Sequence, residues 1–138
     1  MKTSTQHAER DAAFVRSAMS ILGAHMARGE RLSRRELIAK ALASRPPYFY
    51  VEADRAVDVF NFFRHRPWPS APTLRQQMWM EFCTMVREEM EGPRRLKLSK
   101  AVAFVLNFRR PSRFYISEQI AQRLIRRHVA RRSYIVRS

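Results

Sequence analysis

The stretch that decides the fold spans residues 111–132 and reads PSRFYISEQIAQRLIRRHVARR. Ser117 stands where a helix N-cap belongs, because its hydroxyl can accept a hydrogen bond from an otherwise unpaired backbone N–H, and Glu118 is well placed for the helix dipole. Beyond this cap, apolar residues recur at spacings of three and four. They are Ile120, Ala121, Leu124, Ile125 and His128. This periodicity predicts a helix over residues 117–132 that packs through one face.

The opposite face of the same helix, together with the turn before it, is basic. The residues concerned are Arg109, Arg110, Arg113, Gln119, Gln122, Arg123, Arg126, Arg127, Arg131 and Arg132. Arginine pairs with guanine edges and glutamine with adenine edges in a major groove, while arginines beside the helix neutralise phosphates. We therefore predict that these residues form a nucleic-acid-binding site, with the helix at 117–132 lying in the groove of duplex DNA.

The turn before this helix has an earlier counterpart in the chain. Residues 45–56 align with residues 110–121 at a constant shift of 65, which pairs Phe49-Tyr50 with Phe114-Tyr115. A repeat period near half the chain length indicates two copies of one helical unit. No stretch alternates apolar and polar residues long enough to predict a sheet. We predict an all-α fold of about six helices, made of two degenerate trihelical, helix-turn-helix-like repeats packed as one compact unit.

Start and stop signals bound the helices. Ser33 with Glu36 and Thr73 with Gln76 have the spacing of capping boxes, in which side chain and backbone satisfy each other's donors. Gly29 can adopt the left-handed conformation that ends a helix. The predicted helices extend to about residue 28 and then over about 34–44, 52–65, 73–91, 98–109 and 117–132. A proline-rich connector at 67–72 is predicted to separate a first unit, 1–66, from a second unit, 73–138.

Positive charge is the main feature of the composition. The 138 residues include 27 Lys and Arg against 12 Asp and Glu, a formal net charge of +15, of which residues 92–138 contribute +12 and residues 1–91 contribute +3. Such an excess favours a polyanionic partner, because like charges repel one another when no anion is bound. We expect the second unit to bind nucleic acid, and the near-neutral first unit to have a structural role or to form a homodimer through residues 1–66.

Several kinds of chemistry have no sequence signature. The one cysteine, Cys83, and four scattered histidines give no metal-ligand spacing, and three glycines form no phosphate-binding loop. We therefore expect no catalysis, no cofactor and no small-molecule substrate. Neither a long apolar run nor a signal-peptide pattern is present, and the apolar face of the basic helix is too narrow to favour a membrane surface. The expected protein is soluble and cytoplasmic.

Two alternatives to duplex DNA remain open. An arginine-rich chain also fits an RNA-binding or ribonucleoprotein accessory, although no RNA-module signature is present. The near-neutral first unit, with Phe62 on its outer side, fits a non-enzymatic protein–protein adaptor.

The two Phe-Tyr pairs could stack on single-stranded bases. Because aromatic residues just before a helix cap more often pack onto the next turn, we predict that both pairs belong to the core.

Overall fold

The computed structural model describes the backbone of residues 2–137 and the side chains of residues 5–130. Within these residues the fold is all-helical, with six helices and no strand. The helices are α1 (Lys2–Ala27), α2 (Arg34–Ala43), α3 (Ala53–Phe63), α4 (Leu74–Glu91), α5 (Leu98–Phe108) and α6 (Glu118–Arg137). The predicted all-α class and the number of helices are confirmed, and α6 extends beyond its predicted end.

The predicted start and stop signals act as expected. The Ser33 hydroxyl accepts from the Glu36 N–H at 3.1 Å, and the Ser33 N–H donates to the Glu36 carboxylate at 3.3 Å. Thr73 and Gln76 make the same reciprocal pair at the start of α4. Gly29 ends α1 with φ 71°, a left-handed conformation that side-chain-bearing residues adopt at a cost. Local sequence therefore sets the helix boundaries.

The chain divides into two compact units, each discontinuous in sequence. Unit 1 consists of Met1–Gln6 and Pro47–Pro111, and unit 2 consists of His7–Pro46 and Ser112–Ser138. Unit 1 thus contains α3, α4 and α5, whereas unit 2 contains α1 from His7 onward, α2 and α6.

This division differs from the single compact unit and from the domain boundary that the sequence suggested. Trp68, in the connector at 67–72, stacks on Phe63 of α3 with ring centroids 3.9 Å apart, so the connector belongs to unit 1. The third helix of each predicted repeat, α3 or α6, groups with the first two helices of the other repeat. The prolines before α3 and α6 end the preceding helices, so neither third helix continues from the helix before it.

Unit 2 is organised around Phe114, in the turn that leads into α6. Its side chain is 1% exposed and meets the ring of Phe14 in α1 edge to face, with ring centroids 5.5 Å apart and planes at 81°. The Phe114 N–H donates to the Leu42 carbonyl of α2 at 3.0 Å. Ala121 and Ile125 then bury one face of α6, which packs on α2. One residue thus ties the start of α6 to both other helices of the unit.

Unit 1 has a corresponding aromatic contact. Phe49, in the turn that leads into α3, is 4% exposed and meets Phe82 of α4 edge to face, with ring centroids 5.0 Å apart and planes at 86°. Trp79, also on α4, adds a second edge contact to Phe82 at 5.6 Å. α5 packs against both α3 and α4 through Ala101, Val102 and Val105. The prediction that both Phe-Tyr pairs belong to the core is confirmed for Phe49 and Phe114, whereas Tyr50 and Tyr115 are half-buried.

The buried face of α6 yields a stability prediction. Ile125 is 1% exposed, whereas Leu124, on the predicted apolar face, is half-buried. Replacing Ile125 with Ala should lower the free energy of unfolding by roughly 2–5 kcal/mol, because transfer and cavity costs add in a closed core. Leu124→Ala, the matched control on the same helix turn, should cost less. Urea unfolding measures both, and a larger loss for Leu124→Ala would contradict this assignment of the buried face.

A second prediction concerns Cys83 in unit 1. Burial raises the pKa of this thiol from its ordinary 9.0 to about 11. At pH 8 the folded protein should therefore hold about a hundredfold less thiolate than the unfolded chain, and thiol reagents should react slowly until urea is added. Because the folded state keeps the proton, stability from this group is present below pH 9 and is lost as the pH rises through 11. Equal reaction rates with and without urea would contradict it.

Candidate nucleic-acid interface

α6 presents its polar residues to solvent in two adjacent rows. Because Ala121 and Ile125 are buried, the residues one and two positions after each of them face outward, as do their equivalents one turn earlier. The first row, at spacings of four, is Gln119, Arg123 and Arg127, and the second is Glu118, Gln122 and Arg126. All six are exposed, and none of them forms an ion pair with another described residue. The predicted amphipathic division of this helix is therefore confirmed.

The second row borders a cleft between α6 and α2 in unit 2. The cleft has a volume of about 320 Å³. It is lined by Arg34, Arg35 and Ile38 of α2 and by Glu118, Gln122 and Arg126 of α6. Ile38 is 3% exposed and gives the cleft an apolar wall. Three guanidinium groups and one amide thus converge on a space large enough for a small ligand group.

The arginines of the cleft are not neutralised by neighbouring acids. Neither Arg34 nor Arg35 forms an ion pair with a described side chain. Glu36, the acid next to them in sequence, is held in the capping box, and hydrogen bonds from Ser33 lower the pKa of its carboxyl. Glu118 is the single acid among the residues that line the cleft. The cleft therefore has a positive balance of charge.

Two arginines of the predicted site are already engaged inside the protein. Arg109 belongs to unit 1, where its guanidinium donates to Glu88 at 2.9 Å and to Glu89 at 3.0 Å. Arg113 Nε donates to the Phe114 carbonyl at 3.0 Å, and its guanidinium lies 5.3 Å from the centre of the Tyr115 ring. Both side chains are better described as supports of the turn than as free anion ligands.

The remaining predicted residues are distributed between the units. Arg110 is exposed and belongs to unit 1. Arg131 and Arg132 lie outside the residues whose side chains the structure describes. The structure thus brings together Gln119, Gln122, Arg123, Arg126 and Arg127 on α6, whereas Arg109 and Arg110 belong to unit 1.

Net charge is divided less unevenly between the two units than between residues 92–138 and residues 1–91, which carry +12 and +3. Unit 2 contains 15 Lys and Arg against 5 Asp and Glu, a net charge of +10, and unit 1 contains 12 against 7, a net charge of +5. The basic residues at the start of α2 and along α6 thus belong to one body. The lysines and arginines of residues 94–110 belong to the other.

No protein-family model matches this chain. Neither a curated protein nor a solved structure is detectably similar to it. Among the described residues, no helix is long and apolar enough to cross a bilayer. Within the same residues, no group of three His, Cys, Asp or Glu side chains could hold a metal ion.

Arg34 and Arg35 were missed by the sequence reasoning. They lie about ninety positions from Arg126, and periodicity alone does not show which helices pack together. The sequence did contain one local indication, namely two cations in the first turn of a helix. Cations there oppose the helix dipole and are unfavourable unless they have another role. Two successive arginines directly after a capping serine fit that description.

The pairing of Arg109 leads to a prediction that separates stability from binding. Arg109→Ala removes the ion-pair partner of Glu88 and leaves Glu89 with Arg94 at 3.8 Å, so it should lower the free energy of unfolding by roughly 1 kcal/mol, since the group is partly solvated. Its effect on affinity for nucleic acid should be no larger than that of Arg55→Ala, another single-charge loss in unit 1. Thermal unfolding and a duplex-binding assay measure the two effects. A selective loss of affinity would show that Arg109 contacts the ligand.

Proposed function

We propose that this protein binds nucleic acid, and duplex DNA in particular, through the exposed face of α6. The observation that carries the proposal is the row Gln119, Arg123 and Arg127, which is solvent-exposed and has no ion-pair partner among the described residues. The helix is anchored on its other side by buried Ala121 and Ile125. A packed helix with an unneutralised arginine row matches the requirements of groove recognition.

The dimensions of α6 support duplex DNA over duplex RNA. The helix has 20 residues, which corresponds to a length of about 30 Å. The major groove of B-form DNA is wide enough to admit an α-helix, whereas the major groove of A-form RNA is deep and narrow and excludes one. Gln119, Arg123 and Arg127 would approach the base edges, where arginine recognises guanine and glutamine recognises adenine.

The proposal includes a helix-turn-helix-like arrangement that is not consecutive in sequence. In such proteins one helix crosses the phosphate backbone while a second lies in the groove. Here α2 would take the first role and α6 the second, since these two helices pack together in unit 2. Their link is tertiary and depends on the bond from the Phe114 N–H to the Leu42 carbonyl.

Internal duplication is also part of the proposal. The units divide after Pro46 and after Pro111, positions that differ by the 65-residue shift of the sequence repeat. The edge-to-face pairs Phe49–Phe82 and Phe14–Phe114 join the turn before a third helix to a first helix in both units. A duplicated three-helix element in which the two copies exchanged their third helices accounts for both observations.

The function is tested by removing charge from α6. Arg123, Arg126 and Arg127 replaced together by Ala should abolish most of the affinity for a 20-base-pair duplex at moderate salt. Each phosphate contact that is lost should reduce the slope of log affinity against log salt by about 0.9, whereas the loss of a base contact should relax sequence preference instead. Fluorescence anisotropy at several salt concentrations measures both effects.

The matched control removes the same charge from unit 1. Arg55, Lys97 and Lys100 are exposed residues of that unit, and their joint replacement by Ala also lowers the net charge by three. Affinity should fall far less in this variant than in the α6 variant. Equal losses would mean that only overall charge matters, and no binding by the unaltered protein would end the proposal.

A further inference from the structure

We infer that the α2–α6 cleft of unit 2 is a phosphate site, which takes one phosphodiester group of a nucleic-acid backbone between Arg34, Arg35 and Arg126. The source of the phosphate rests on the proposed function. The presence of an anion site rests on the α2–α6 cleft alone. Its ligand is an anion, because three guanidinium groups from two helices line a space of about 320 Å³ together with a single carboxylate.

The electrostatics of the cleft favour an anion over solvent alone. Arg34, Arg35 and Arg126 have no ion-pair partner among the described side chains, so they repel one another while the cleft is empty of anions. A bound phosphate removes this repulsion and offers oxygens that the planar guanidinium forks match.

The polar residues of α6 in the cleft have opposite effects on a phosphate. Gln122 adds an amide N–H₂ that can donate to a phosphate oxygen. The carboxylate of Glu118 repels a phosphate, so it lowers the affinity of the cleft for anions. The site therefore combines three cations and one hydrogen-bond donor with one repulsive carboxylate. Substituting an arginine should lower its affinity for phosphate, and substituting Glu118 should raise it.

The position of the cleft on α6 indicates a backbone phosphate. Arg126 and Gln122 belong to the row next to Gln119, Arg123 and Arg127, so a phosphate held in the cleft lies beside the proposed groove-reading row. The start of α2 supplies Arg34 and Arg35 from a second helix. A phosphate gripped by two helices fixes how α6 enters the groove, which is the positioning role that backbone contacts have in protein–DNA complexes.

The first experiment uses the full chain and a 20-base-pair duplex. Arg34→Ala and Arg126→Ala should each weaken binding, and each should lower the salt slope by up to about 0.9. If both arginines bind the same phosphate, their effects should not be independent. The fold-loss of affinity in the double variant should then be smaller than the product of the two single fold-losses, by a factor of about three or more. Glu118→Gln should bind more tightly than the unaltered protein.

The control double variant is Arg55→Ala with Lys100→Ala, which removes the same charge from unit 1. Because all of these side chains are exposed, the variants should keep the circular dichroism spectrum and melting temperature of the parent. A cleft double variant that loses no more affinity than this control would overturn the phosphate site and leave the proposed function standing.

A second experiment does not depend on nucleic acid. Sodium pyrophosphate is titrated into the labelled full chain, and the arginine Nε–H signals are followed by NMR. Signals of Arg34, Arg35 and Arg126 should shift together and saturate, and the shifts should vanish in the Arg34→Ala/Arg126→Ala variant. Saturable shifts without duplex binding would keep the phosphate site, assign it to free phosphate compounds and reject the proposed function. Unsaturable shifts that are equal over all arginines would reject the site.

Discussion

Burial of Phe114 against Phe14 is the interaction on which the rest of unit 2 depends. It places the turn before α6 on α1, and the bond from the Phe114 N–H to the Leu42 carbonyl holds the same turn on the end of α2. With its first residues fixed, α6 has one orientation in which Ala121 and Ile125 are buried. That orientation turns the arginine rows to solvent. The basic surface is therefore a consequence of an apolar contact that contains no charged group.

A similar aromatic contact in unit 1 anchors a helix whose exposed face carries both acidic and basic residues. Phe49 packs on Phe82 as Phe114 packs on Phe14, but α3, the helix that follows, exposes Asp54, Arg55 and Asp58. Arg109 of unit 1 is neutralised by Glu88 and Glu89, whereas the arginines along α6 have no such partners among the described residues. The two units thus share a way of anchoring a helix and differ in the charge that the helix carries.

Local features of the structure could be predicted from the sequence. Capping pairs such as Ser33 with Glu36, the left-handed Gly29 and the apolar face around Ile125 all depend on residues within one or two helical turns. The core position of Phe49 and Phe114 followed from their place just before a helix cap. These features predicted the number of helices, their inward faces and most of their limits, apart from the end of α6.

The pairing of helices could not be predicted in the same way. Periodicity shows that α6 has an apolar face but not that α2 covers it, because the two helices are separated by more than seventy residues. The grouping of Arg34 and Arg35 with Arg126 was missed for this reason. The sequence placed Arg109 in the binding site because it does not show that Glu89 and Glu88 neutralise this residue. These two carboxylates lie 20 and 21 positions away on another helix. Long-range packing thus decided which basic residues share a surface.

The most direct measurement for this account is an NMR titration of the uniformly ¹⁵N-labelled full chain with a 20-base-pair duplex. We expect amide and arginine side-chain signals of residues 119–127 and of Arg34 and Arg35 to shift first and furthest, while signals of α3 and α5 stay in place. Shifts centred on unit 1, or spread evenly over both units, would contradict the claim that α6 and the start of α2 form the binding surface.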